Sequence, residues 1–135
     1  MSDPSCVFCK ILAGEIPSTT VAESDRAVAF MDVNPATFGH LLVAPRTHAQ
    51  DLLTADAEDV SAVALLAQRM AMLVTQRLDA KGVSLLQSNG TAAWQTVFHL
   101  HMHVIPRYQD DPLVLPWTPT PGDPQQIAAA ADLLR

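Results

Sequence analysis

The sequence predicts an α+β domain followed by an extended tail, and three observations carry that reading. Five short apolar runs bounded by turn residues read as strands, at 19–23, 27–32, 40–44, 83–88 and 96–105. One long stretch with apolar residues every three or four positions, 56–81, reads as the single long helix. Five of the ten prolines fall between residues 112 and 124, so residues 111–135 read as a Pro-rich tail outside a domain of residues 1–110.

Composition narrows the class. A chain of 135 residues with 49% apolar content can bury one core. Eight basic against fourteen acidic side chains give a net charge of −6, which argues against bulk nucleic-acid binding. No run approaches the roughly 18 apolar residues of a membrane span. Met1-Ser2-Asp3-Pro4-Ser5 lacks the order of a signal peptide, so the expected location is cytoplasmic.

Each element has its own signal. Ser5 reads as the cap of a short N-terminal helix over 5–13, with Val7, Phe8, Ile11 and Leu12 as its apolar stripe and Gly14 as its end. Ser24-Asp25 turns the first strand into the second, and Asn34-Pro35 stops the second. Gly39 opens the third strand and Pro45 closes it, so the first three suggest an antiparallel meander. Thr54 reads as the cap of the long helix, with Asp56, Glu58 and Asp59 at its positive end. Val60, Val63, Ala64, Ala67, Met70, Ala71, Val74 and Leu78 form its buried face, and Gly82 its stop. Asn89-Gly90 opens a loop before the fifth strand, which Pro106 closes. Asp123-Pro124 reads as the cap and first turn of a short terminal helix, 125–134.

The chemistry concentrates in Val97-Phe98-His99-Leu100-His101-Met102-His103-Val104. Alternation on a strand puts three of the five histidines on one face, neighbours roughly 6.5–7 Å apart, and an apolar row on the other. Three imidazoles in register point to a catalytic or metal site. Cys6 and Cys9 form a C-x-x-C pair, open to reading as a metal half-site, a redox pair or two buried thiols.

The His-φ-His-φ-His-φ-φ run, preceded by a loop of small residues and Gln95, resembles the histidine triad (HIT) family. So do Phe30-Met31-Asp32-Val33-Asn34-Pro35, the Gly39-to-Pro45 segment with His48 behind it, and the opening Cys6-Val7-Phe8-Cys9-Lys10-Ile11 and Gly14-Glu15-Ile16-Pro17. The match spans about residues 5–108. The resemblance implies one five-stranded antiparallel sheet and a homodimer that joins two sheets. It also implies binding of a purine nucleotide, and nucleotidyl transfer or hydrolysis of the adenosine phosphoramidase type.

Attack on phosphorus needs a neutral imidazole held in line with the leaving group. His101, with a ring on each side, is assigned as that nucleophile. A carbonyl taking its Nδ1 proton would free Nε2 to attack. His103 is assigned to the phosphate oxygens. By resemblance Asn89, Gln95 and Thr96 line the phosphate and leaving-group side, Asp32 holds the ribose, and His40 lies near the phosphate. Val7, Phe8, Ile11, Phe30 and Val33 wall the base. Some relatives carry a structural zinc, for which Cys6, Cys9, His48 and His99 form a Cys₂His₂ set here; the competing role for His99 is to orient His101. No cofactor is expected in catalysis itself. Trp94 stands where many relatives have Gly, which bears on substrate range. Leaving-group specificity is expected to rest with the tail and Trp117. Hydrolysis of dinucleoside polyphosphates, and nucleotide binding by a regulatory dimer with vestigial activity, are the alternatives.

Overall fold

The structure is a computed structural model and describes residues 2–135. In chain order the elements are α1 (Val7–Leu12), β1 (Thr20–Glu23), β2 (Ala27–Met31), β3 (Leu41–Pro45), α2 (Ala57–Arg77), β4 (Gly82–Leu86), β5 (Met102–Arg107) and α3 (Pro124–Leu134). The five strands form one antiparallel sheet in the order β1-β2-β3-β5-β4.

Alternation divides the side chains between two layers. Ala27, Ala29, Leu41, Val43 and Val104 meet Val63, Leu66, Ala67, Met70 and Val74 of α2 in the main core. Val28, Phe30, Leu42 and Ala44 point the other way and meet Phe8 of α1, with Ile11 and Val97 against them. Removing each of the Val, Leu, Phe and Met side chains from water stabilises the fold by about 1.5–3 kcal/mol, and each alanine methyl by less. His103 pairs in register with Leu42. Period-two alternation therefore puts its ring in the second layer, beside Phe30 and α1.

Several boundaries differ from the sequence reading for local reasons. α2 ends at Arg77 rather than near 81, because Asp79 adopts a left-handed conformation (φ 56°) in the position glycine usually takes. Thr54 does not cap α2; its amide and hydroxyl bond to Asp51 at 3.1 and 3.2 Å, and Asp56 stands at the N-cap. At α1 the cap is Cys6, whose sulfur accepts the Cys9 amide at 3.3 Å, while Ser5 bonds to Asp3.

The fifth strand shows the largest shift, starting at Met102 rather than 96 and running through Pro106. Residues 96–101 run outside the ladder, tied by the Leu100 amide to the Ala49 carbonyl at 2.7 Å. Pro106 lies past the last residue paired to β3, so its missing N–H costs no bond on that side. Gly39, at φ 88°, leads into β3, and a Cβ there would collide with the Leu78 side chain.

The tail begins where Arg107 grips Asp111 at 2.7 and 2.9 Å. Beyond Leu113, no hydrogen bond among the described residues ties it to the domain. α3 forms as read from Asp123-Pro124, with the Asp123 carboxylate accepting the Gln125 amide at 3.0 Å.

Candidate active site and metal centre

The three histidines of the row take three different environments. His101 sits just ahead of β5, and its Nδ1–H donates to the backbone carbonyl of His99 at 2.7 Å. That bond leaves the Nε2 lone pair free. The ring is buried and meets the Phe8 ring edge-on at 5.0 Å. Burial pushes its pKa below the ordinary histidine value, against the pull of the His99 carbonyl and Asp32, so it is neutral at pH 7.

His103 belongs to a hydrogen-bonded chain. The Ala36 amide donates to His40 Nδ1 at 2.9 Å, so the His40 proton must sit on Nε2. That nitrogen lies 2.8 Å from His103 Nδ1 and donates to it. His103 is thereby left with its proton on Nε2. Burial, then the neighbouring His101 and His40, push its pKa down to about 4. Asp32 Oδ2 flanks this chain at 3.4 Å from His40 and 3.9 Å from His103, while its Oδ1 accepts the Asn34 amide at 2.8 Å. Asp32 thus both caps the turn and faces the histidines. Ala36 had no signal of its own in the sequence, because a backbone N–H belongs to every residue type but proline.

A cavity of about 370 Å³ opens over these groups. Val7, Phe8, Ile11, Phe30 and Val33 wall it, and Asp32, Thr96, His101 and His103 supply its polar groups. Pro17, Ser18, Met31, Asn34, Leu42 and Val97 also line it; none of them stood out as a site residue in the sequence.

His40, Asn89 and Gln95 do not line this cavity. Asn89 accepts the Leu52 amide at 2.8 Å and pairs with the Gln87 amide group. Gln95, 3% exposed, accepts the Gly90 amide at 2.8 Å and donates to the Gln50 and Val97 carbonyls at 2.8 and 3.1 Å. It clamps the loop that presents Thr96. Trp94 is exposed at φ 77°, an uncommon conformation for a bulky residue. Trp117 in the tail is exposed and lies outside the cavity lining.

The ring of His99 turns away from the cavity. Its Nε2–H donates to the Pro45 carbonyl at 2.8 Å, so its Nδ1 carries the lone pair. That Nδ1 lies 3.5 Å from both Cys6 Sγ and Cys9 Sγ, and 3.3 Å from His48 Nδ1; Cys9 Sγ to His48 Nδ1 is 3.5 Å. A tetrahedral zinc, with bonds of about 2.3 Å to sulfur and 2.05 Å to nitrogen, needs S···N edges of about 3.5 Å and an N···N edge of about 3.3 Å. The four donors fit that ion. Backbone amides of Cys9 and Asp3 point at the two sulfurs at 3.3 Å, as thiolate ligands require. The Asp32, His40 and His103 atoms also cluster, but their 2.8 Å N···N contact is a hydrogen bond, shorter than a tetrahedral metal's N···N edge. The two readings of His99 therefore fall on different atoms: its imidazole faces the cysteines and its carbonyl holds His101.

An α+β domain with one antiparallel sheet, a histidine pair over an apolar cavity and a Cys₂His₂ cluster beneath is an architecture of the histidine triad class. The HIT domain family model matches residues 13–110, and the chain belongs to the HIT family. A Schizosaccharomyces pombe relative named adenosine 5'-monophosphoramidase hnt1 is 34% identical over 129 residues, 95% of this chain and 94% of that one. The crystal structure of SMU.412c from Streptococcus mutans UA159 superposes with a TM-score of 0.93 at 32% identity, covering 98% of this chain and 85% of that one. A zinc-bound histidine triad family protein from Mycobacterium smegmatis superposes at 0.78 with 38% identity, covering 96% of this chain and 95% of that one. Among the described residues, no helix is long and apolar enough to cross a membrane.

Proposed function

We propose that the protein is a nucleotide-binding hydrolase. It cleaves the bond at the α-phosphorus of purine nucleoside phosphoramidates, or of related nucleotidyl conjugates, through a covalent nucleotidyl-histidine. The observation that carries this is the buried, neutral His101 ring, held by the His99 carbonyl with Nε2 free in a cavity that also holds Asp32 and His103.

The chemistry runs in two displacements. His101 Nε2 attacks phosphorus and the P–N bond breaks. The departing amine takes a proton from solvent, relayed by the Thr96 hydroxyl. The phosphorylated ring is cationic, and the His99 carbonyl stabilises its Nδ1–H. Water then attacks phosphorus, the P–Nε2 bond breaks, and neutral His101 returns with one nucleoside monophosphate and one proton released. His103 Nε2–H donates to a non-bridging oxygen, where developing charge makes such a bond most valuable. His40 acts through His103 by fixing its tautomer, and Gln95 and Asn89 hold the loop that carries Thr96. Asp32 accepts from the vicinal ribose hydroxyls, and Phe8, Ile11, Phe30, Val7 and Val33 enclose the base. Cys6, Cys9, His48 and His99 hold a structural zinc that pins α1 to the sheet.

Asp32 offers the direct test. Native protein is expected to release AMP from adenosine 5'-phosphoramidate, measured by chromatography. The Asp32→Asn variant is expected to lose about 10- to 100-fold in kcat/KM, the cost of a charge-assisted hydrogen bond to the ribose. The same loss should follow in native protein given the 2',3'-dideoxy substrate. No AMP release by native protein overturns the reading, and an unchanged Asp32→Asn enzyme removes Asp32 from it.

The reading includes a homodimer. β4 is an open sheet edge with Leu85 and Leu86 exposed, and the exposed Ser61, Leu65, Gln68, Met72 and Thr75 of α2 carry no charge. Light scattering at micromolar concentration is expected to give twice the 14.5 kDa chain mass; a monomer mass would contradict it.

A further inference from the structure

A second cavity, of about 350 Å³, adjoins the first and has no role in the reading above. The two share Val7, Thr96 and Val97 as a common wall. His101 and His103 line the first cavity and not the second. Its remaining surface combines Phe98, 40% exposed, with the polar Ser5 and Asp3 and with Cys6 and His48 of the metal-binding set.

Asp3 is the one formally charged side chain on this lining apart from the metal-binding set. Its Oδ1 is held by the Ser5 amide and hydroxyl at 2.8 and 2.7 Å. Among the described residues its Oδ2 makes no hydrogen bond, and it stands 3.9 Å from His48 Nε2. A divalent ion held by Cys6, Cys9, His48 and His99 would not cancel this charge, because the two thiolates would balance it. The cavity is therefore a slot in which Val7, Val97 and Phe98 supply apolar surface and Asp3 one fixed negative charge.

An in-line displacement sends the leaving group away from the nucleophile. The second cavity shares Thr96 with the first, and the reading above puts the Thr96 hydroxyl on the leaving-group side. We propose that this second cavity is the leaving-group site, and that Asp3 selects amines whose alkyl chain carries a second, cationic group. This rests on the nucleotidyl-hydrolase reading, and it sharpens it. Val7, Val97 and Phe98 cover the alkyl chain, and the Asp3 carboxylate meets the cation. A polyphosphate leaving group would bring its own negative charge against Asp3, so the slot disfavours dinucleoside polyphosphates.

The test compares two adenosine 5'-phosphoramidates of equal chain length, one made from n-pentylamine and one from 1,5-diaminopentane. Native protein is expected to favour the ammonium-bearing conjugate by about fivefold in kcat/KM, the scale of a half-exposed ion pair. Asp3→Asn should bring the ratio close to one, and Asp3→Glu should keep most of it, with metal content measured on each variant. Equal rates for the two conjugates in native protein overturn the proposal, as does a preference that survives in Asp3→Asn. If neither conjugate is cleaved, the hydrolase reading fails by itself. The slot is then read by displacement of a fluorescent AMP analogue. Tighter displacement by the ammonium conjugate keeps Asp3 as the cation contact of the slot and removes only its leaving-group role, and equal displacement removes both.

Discussion

Replacing His101 with alanine is expected to lower AMP release by at least about 10³-fold while leaving AMP binding within a few-fold of native. The two effects separate because they depend on different groups. On the proposed reading, binding draws on the apolar walls, Asp32 and the His103 donor, all of which remain. On the same reading, turnover draws on one lone pair, Nε2 of His101, which no other side chain in the cavity can replace. His103 cannot substitute, because His40 donates to its Nδ1 at 2.8 Å and so keeps the proton on its Nε2. Calorimetric titration with AMP and a quenched assay on the same preparation check both. Residual turnover within tenfold of native would take the nucleophile role away from His101. The pH profile gives a second reading of the same site. Because the His103 pKa is pushed down to about 4, it stays a neutral donor well below pH 6.5. No loss of activity from its titration is expected as pH falls from 8 to 6.

Replacing Cys9 with serine is expected to empty a zinc site that otherwise holds about one ion per chain. It should also lower the unfolding midpoint by about 10 °C or more, since a structural zinc supplies several kcal/mol of folding energy. The size follows from where the cluster sits. His99 is fully buried, and without an ion its Nδ1 lone pair faces two sulfurs and another imidazole nitrogen. α1 has only six residues, too few to persist by helix propensity alone. Zinc ligation by its cysteines would hold it, together with Phe8, which also walls the cavity over His101 and His103. Metal loss should therefore raise KM for the nucleotide as well as lower stability. Elemental analysis and thermal unfolding with and without chelator check this. An apoprotein of unchanged midpoint would show that the cluster is held by packing alone.

Much of this was legible before any coordinates. Val28 and Phe30 on one face of β2, with Ala27 and Ala29 on the other, follow from period-two alternation. The long helix followed from its 3.6-residue stripe, though the stripe continued to Leu78 and hid the earlier end that Asp79 imposes. The histidine strand starts later than its alternation implies for a similar reason. Alternation over residues 97–104 says which side chains share a face, but not which residues find a ladder partner. β3 offers partners only from Met102 onward, and the Leu100 tie to Ala49 turns the preceding segment aside.

The site divides along the same line. Residue type and near neighbours set the donor chemistry: three imidazoles at alternate positions, a C-x-x-C pair, and a carboxylate at a strand end. Only the tertiary structure decided what each donor faces. His103 takes its tautomer from Ala36 through His40, and His99 meets Cys9 across ninety positions. Gln95 binds carbonyls on both sides of its loop rather than the cavity. Which nitrogen carries a proton depends on a partner brought in by the fold, and that partner is often a backbone group that no residue letter marks.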